Sequence, residues 1–107
     1  EIPAASPEAR LAALPDVSGA GLAAAERNYE EAANALLEAL QQSSSHLEPG
    51  TLAAVRTNLD VIDRALYEVR QALVRNPSSP ELNRMLLATH RKKVDVLRRV
   101  VKLSTAL

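Results

Sequence analysis

The 107-residue sequence has no cysteine, phenylalanine or tryptophan, and only two tyrosines and three glycines. The lack of cysteine excludes disulfide bonds and thiolate metal sites. With so little glycine there is no phosphate-binding loop and no nucleophile elbow, so we expect no active site and no enzyme. Lysine plus arginine equals aspartate plus glutamate, so the net charge of zero indicates neither a nucleic-acid nor a membrane partner.

The sequence also lacks long apolar runs. No stretch approaches about eighteen consecutive apolar residues, so nothing in it is expected to span a membrane. It opens without methionine or a signal-peptide pattern, which indicates a fragment of a longer protein. What is abundant is alanine, leucine, glutamate and arginine, and these residues favour helix. The composition therefore predicts a single all-α domain.

The clearest pattern lies in residues 49–75, where apolar residues recur at alternating steps of three and four. These positions are Leu52, Val55, Leu59, Ile62, Leu66, Val69 and Leu73. Asn76-Pro77 ends this helix, and Ser79-Pro80 starts the next one, over residues 80–105. If the chain reverses there, the seam continues on the second helix through Leu82, Leu86, Val96, Val100 and Leu103. The pattern predicts a long antiparallel coiled-coil hairpin.

A first helix, over residues 19–43, carries its own apolar stripe and an excess of acidic residues, with Ser18 as the expected N-cap. It is expected to cover the open side of the hairpin, completing an antiparallel three-helix bundle over residues 19–107. Its acids are expected beside the basic residues of the third helix. Residues 1–18, rich in proline and alanine, are expected to form a flexible tether.

The seam is interrupted where Lys93 faces Ile62. Tyr29 and Asp63 are expected at the same height, and Asp63 would supply the counter-charge that a partly buried lysine needs. We interpret Tyr29, Asp63 and Lys93 as a structural polar layer that fixes helix register. A ligand- or signal-sensing site at the same place is the alternative.

Other candidate sites are weaker. His46 and His90 are far apart and lack the paired spacing of metal ligands, so no metal site and no cofactor are predicted. The basic residues of the third helix allow a phosphate- or headgroup-binding face, but a solvated or internally paired face is the preferred interpretation. Segments such as Asn76-Pro77 also suggest a tetratricopeptide-like adaptor, although the second helix is long for such a repeat.

One set of residues carries a family resemblance. The set is Tyr29-x-x-Ala32, Leu36, Leu40, Leu47-x-Pro49-x-Thr51, Asn58-Leu59-x-x-Ile62-Asp63-x-Ala65, Arg70-x-Ala72-Leu73, Asn76-Pro77, Leu82, Arg91-x-Lys93 and Leu97. It resembles the C-terminal extracytoplasmic region of bacterial zinc-finger, anti-sigma-factor-like membrane proteins. Members of that family carry a cytoplasmic zinc finger that binds a sigma factor, one transmembrane helix and a helical region outside the membrane.

The resemblance implies a sensor or interaction domain on the periplasmic side of a bacterial inner membrane. Its partner would be another protein or a second copy of the chain, which would form a homodimer. No nucleic-acid partner is expected. Membrane attachment would come only from a transmembrane helix outside this sequence, and the zinc finger would also lie elsewhere. A ligand- or metal-sensing periplasmic helical domain and a tetratricopeptide-like adaptor remain alternatives.

Overall fold

A computed structural model describes residues 20–105 of the chain. It contains three α-helices: α1 (Ala20–Ser43), α2 (Pro49–Arg75) and α3 (Pro80–Thr105). A short 3-10 helix, Ser44–His46, follows α1 directly. There is no strand within residues 20–105, and the described chain is all-α. The predicted tether over residues 1–18, the Ser18 cap and the last two residues of the predicted domain lie outside the described residues.

The helix ends follow local chemistry. The backbone N–H of Asn76 donates to the carbonyl of Ala72 at 3.0 Å, which completes the last turn of α2. Asn76 and Ser79 then close a tight turn through a 3.2 Å backbone hydrogen bond. The Ser79 hydroxyl accepts from the N–H of Leu82 at 3.2 Å, so Ser79 caps α3 and Pro80 occupies its first position, where no donor is needed.

Helix α3 is the centre of the bundle, because α1 and α2 each pack mainly against it. The apolar core forms two clusters along it. The first contains Ala33, Leu40, Val94, Leu97 and Val100. The second contains Leu66, Val69 and Leu86, with Leu22 and Leu73 packed against them. The described helices thus form a helical bundle whose core lines one side of α3.

On α2, the seven positions of the apolar pattern face inward. Ile62, Leu66 and Val69 are buried, while Leu52, Val55, Leu59 and Leu73 are half-buried.

None of the three helices of residues 20–105 is both long and apolar enough to cross a membrane.

On α3, the buried line differs from the expected seam. Leu86 and Val100 are buried, but Leu82 and Val96 are only half-buried and Leu103 is 60% exposed. The line instead runs one residue later at five positions: Asn83, His90, Val94, Leu97 and Ser104 are all buried. The expected register treated α3 as the partner of α2 alone. Because α3 also packs on α1, its most enclosed line is the one that faces both helices.

The expected seam and the observed buried line of α3 make different predictions for two substitutions. Leu97→Ala removes a side chain with no exposed surface and should lower the free energy of unfolding by about 2–5 kcal/mol. Leu103→Ala, the matched control, should change it by less than about 0.5 kcal/mol because Leu103 is largely in solvent. Urea titration followed by circular dichroism measures both. Equal losses would contradict the buried line described above.

Candidate functional site

One carboxylate oxygen joins all three helices. Glu26 Oε2, on α1, lies 2.8 Å from Arg70 Nη2 on α2 and 2.8 Å from His90 Nε2 on α3. Glu30, one turn further along α1, places its carboxylate 3.6 Å from the same Arg70 nitrogen. We call Glu26, Arg70 and His90 the three-helix junction.

The distances define where the protons lie. An ionised carboxylate only accepts hydrogen bonds, so His90 Nε2 must carry a hydrogen to approach Glu26 Oε2 at 2.8 Å. Arg70 only donates, so the 3.4 Å between Arg70 Nη2 and His90 Nε2 is not a hydrogen bond between them. The two nitrogens are both donors, and they share one acceptor, Glu26 Oε2. Both hydrogen bonds are charge-assisted, the stronger class in proteins.

The junction is embedded in apolar surroundings. His90 is 3% exposed, and the ring of Tyr29 is stacked on it with the ring planes 7° apart and their centroids separated by 6.1 Å. Along α3, His90 lies between Leu86 of one apolar cluster and Val94 of the other. The imidazole of His90 thus lies between the two apolar clusters. A buried imidazole needs a partner, and Glu26 provides it.

The pKa of Glu26 reflects two opposing effects. Burial alone would raise it, because the ionised carboxylate loses water. Hydrogen bonds from Arg70 and His90, together with electrostatic attraction to these side chains, outweigh burial and hold the pKa of Glu26 below the ordinary glutamate value. The carboxylate is thus kept ionised by its partners on the other two helices.

The predicted layer of Tyr29, Asp63 and Lys93 is brought together only in part. Lys93 Nζ donates to Asp63 Oδ1 at 2.8 Å, linking α3 to α2. Tyr29 contacts His90 instead, and it lines a different groove from the one that holds the ion pair. Asp63 is 52% exposed, so this pair contributes less than about 1 kcal/mol to stability.

A second polar contact joins the last turns of α1 and α3. The hydroxyls of Ser43 and Ser104 lie 2.7 Å apart, and Ser104 has no exposed surface. His46 Nδ1 lies 3.0 Å from the Ser104 carbonyl oxygen, which can only accept, so Nδ1 must be the donor. One of the last carbonyls of α3, which has no partner within the helix, is satisfied in this way.

Two open grooves border these contacts. The first, of about 220 Å³, has Ala33, Leu66 and His90 among its lining residues, with Tyr67 of α2 at its side. Lys93 and Asp63 also line it. The second, of about 540 Å³, lies between α1 and α3, where Arg91 and Arg98 contribute to its wall. Within residues 20–105, no three His, Asp or Glu side chains are grouped in a way that would hold a metal ion.

The junction residues Glu26, Arg70 and His90 were missed by sequence reasoning, as were Ser43 and Ser104. His90 and Ser104 do lie on a line of three- and four-residue steps with Leu86, Val94 and Leu97. The three- and four-residue steps of this buried line were visible in the sequence. Because it contains the polar residues His90 and Ser104, the neighbouring line through Val96 and Leu103 was taken as the apolar seam.

Comparison with protein-family models, curated proteins and solved structures finds no match to this chain.

The junction predicts an acid-dependent loss of stability. Because the folded-state pKa of Glu26 is lowered, the unfolded chain takes up a proton first as pH falls below the ordinary glutamate value. The stabilisation is complete above that value and is lost as pH drops through the folded pKa. Glu26→Gln should lower the free energy of unfolding by about 1–3 kcal/mol at neutral pH and flatten this acid limb.

The matched control is Glu31→Gln, an exposed glutamate on the same helix. Urea titrations at a series of pH values between neutral and acid should show little change for it. An acid limb for Glu26→Gln as steep as that of the parent would contradict the assignment of the junction.

Proposed function

We propose that this chain is a non-enzymatic extracytoplasmic sensor or interaction domain of a membrane-anchored, anti-sigma-factor-like regulator. It acts through helical protein–protein contacts, with another protein or a second copy as partner, on the periplasmic side of a bacterial inner membrane. The resemblance carried by the residues from Tyr29 to Leu97 supports the regulator part. The groove beside Tyr67 supports the interaction part.

We also propose that α2 and α3 form the antiparallel coiled-coil hairpin expected from the sequence. Two contacts support it: Asp63 bonds Lys93, and Arg70, further along α2, approaches His90, earlier on α3. Contacts between α1 and α3 support the same chain direction for these two helices. Glu26, early on α1, meets His90, and Ser43, late on α1, meets Ser104, which comes later on α3. That order supports an up-down-up arrangement.

The observation that carries the interaction part is the exposure of Tyr67. Its side chain is 61% exposed and lines the groove that also contains Asp63 and Lys93. Val74, one heptad further along α2, is 77% exposed. Tyrosine is enriched among residues that dominate binding energy, because it buries a large rigid ring and retains a hydroxyl for hydrogen bonding. A partner helix or loop that covers Tyr67 would remove the largest exposed ring of the described chain from water.

The groove also provides a route for a signal. Arg70 lines it and at the same time holds α1 through Glu26 and Glu30. A partner carboxylate that attracted Arg70 would compete with these bonds and loosen α1 from α2. The same contact would therefore bind the partner and change the helix arrangement.

The alternative functions have less support. A metal-sensing domain needs a cluster of ligands, and residues 20–105 contain none. A tetratricopeptide adaptor needs pairs of short helices with a period of about 34 residues. The three helices here have 24, 27 and 26 residues.

Site-specific photo-crosslinking in living cells tests the interaction part. A photoreactive phenylalanine analogue replaces Tyr67 in one version of the complete protein and Val61 in the other. Val61 is the matched control, since it is 62% exposed on the same helix and does not line the groove. We expect a discrete crosslinked product, a dimer or a complex with another protein, from position 67 only. Products from both positions, or from neither, would contradict the groove as the contact surface.

The complete gene tests the regulator part separately. Its product should contain a Cys/His cluster and an apolar run of about twenty residues on the N-terminal side of this domain. A gene product that lacks either feature would overturn the anti-sigma-like assignment. The crosslinking result would not be affected, because it tests only the contact surface.

A further inference from the structure

The face of α3 that points away from the core carries six exposed cations. Arg84, Arg91 and Arg98 are spaced by seven residues and lie on one line of the helix, about 21 Å long. The other three flank or extend that line. We call the whole set the basic face: Arg84, Arg91, Lys92, Arg98, Arg99 and Lys102.

These cations are not neutralised within the described part of the chain. The ion pairs of residues 20–105 involve Arg70, His90 and Lys93 and none of the basic face. The acids of α1 that form ion pairs are Glu26 and Glu30, and they bond Arg70 on α2 and, from Glu26, His90 on α3, so neither of them bonds a cation of the basic face. Within α3, the half-buried Asp95 interrupts the positive line and the exposed Glu81 lies one turn before its first member, Arg84.

Apolar side chains border the basic face. Met85 is 52% exposed and Leu103 is 60% exposed. They are eighteen residues apart, which is five full helical turns, so they project from the same side of α3. Lys92 and Arg99 lie near the line that joins them. Cations with long methylene stems beside exposed apolar residues are the composition that settles at a lipid headgroup layer.

The groove between α1 and α3 adds a recess for a headgroup. Arg91 and Arg98 contribute to it from α3 and Asn28 from α1, with Asp95 in the same wall. Arginine matches the geometry of phosphate oxygens through its fork of donors. Two such forks about 10 Å apart suit separate phosphates of a headgroup layer.

Other occupants fit the basic face less well. In a second copy, α1 exposes the acids Glu30, Glu31 and Glu38, and α2 exposes Asp60, Asp63 and Glu68 among several arginines. Neither helix has enough acids for six cations. Binding to nucleic-acid phosphates would use the same six cations, so the apolar residues beside them are what separates a nucleic acid from a lipid surface. A nucleic-acid backbone would leave Met85 and Leu103 in water, whereas a lipid surface takes up both.

We propose that the basic face of α3 binds the surface of an anionic phospholipid bilayer, peripherally and by electrostatic attraction. The inference goes beyond the proposed function and needs no part of it, because it depends only on α3 and the groove between α3 and α1. It also differs from the expectation that membrane contact comes only from a separate transmembrane helix.

Vesicle co-sedimentation tests this proposal with the whole chain. Vesicles of phosphatidylcholine and phosphatidylglycerol in equal parts should retain the protein at low salt, and vesicles of phosphatidylcholine alone should not. The triple variant Arg84→Gln, Arg91→Gln, Arg98→Gln should bind the anionic vesicles about 100-fold more weakly, at about fivefold for each lost charge. Raising the salt concentration should release the parent.

The matched control is Arg56→Gln, Arg64→Gln, Arg75→Gln, which removes three exposed arginines from α2 and gives the same net charge. It should weaken binding by less than about threefold. Circular dichroism checks that both variants remain helical. Equal losses in the two variants, or no retention of the parent, would overturn the proposal.

A second pair of measurements separates lipid from nucleic acid. Met85→Ser with Leu103→Ser should reduce vesicle binding and leave any binding to a short DNA duplex unchanged. Tighter binding of the parent to the duplex than to the anionic vesicles, at one salt concentration, would assign the basic face to nucleic acid instead.

Discussion

One half-buried carboxylate links all three helices of the described chain. Glu26 is held by a donor from each of the other two helices, Arg70 and His90, at 2.8 Å. If α1 or α3 moves away, the buried imidazole of His90 is separated from its partner Glu26, which costs about 1–3 kcal/mol; if α2 moves away, Glu26 loses its Arg70 donor. Apolar contacts tolerate sliding by a residue or two, but this hydrogen-bonding geometry does not. The junction therefore selects one relative height for the helices, while the apolar clusters on either side provide most of the attraction.

The central position of α3 explains how one helix has two different faces. Its inner face serves both α1 and α2, so that line is the most deeply buried and includes Asn83, His90 and Ser104. Its outer face is then left to solvent, and the positive charge of the chain is concentrated there. The recognition surfaces proposed above are accordingly separate: Tyr67 lies in the groove above His90, and the basic face lies on the far side of α3.

The sequence was sufficient to predict the helices and insufficient to predict which line of α3 is buried. Proline and serine near residues 49, 77 and 80 mark the helix ends, because their effects are local. The seam of α2 could be identified because all seven of its positions are apolar. On α3 the apolar pattern was ambiguous, and the choice between Leu103 and Ser104 depends on α1, which no local rule includes. His90 and Glu26 are 64 residues apart, so their pairing follows from the three-dimensional arrangement alone.

The long separation of the contacts between α1 and α3 also bears on synthesis of the chain. Ser43 meets Ser104 across 61 residues, and Glu26 meets His90 across 64. During translation α1 emerges first, yet the helix on which it packs is made last. Helices α2 and α3 are consecutive in sequence and can pair as soon as both have emerged from the ribosome. Until then, the leucine side chains of α1 remain exposed to solvent. A nascent chain of this design therefore needs a chaperone most in the interval before α3 has emerged from the ribosome.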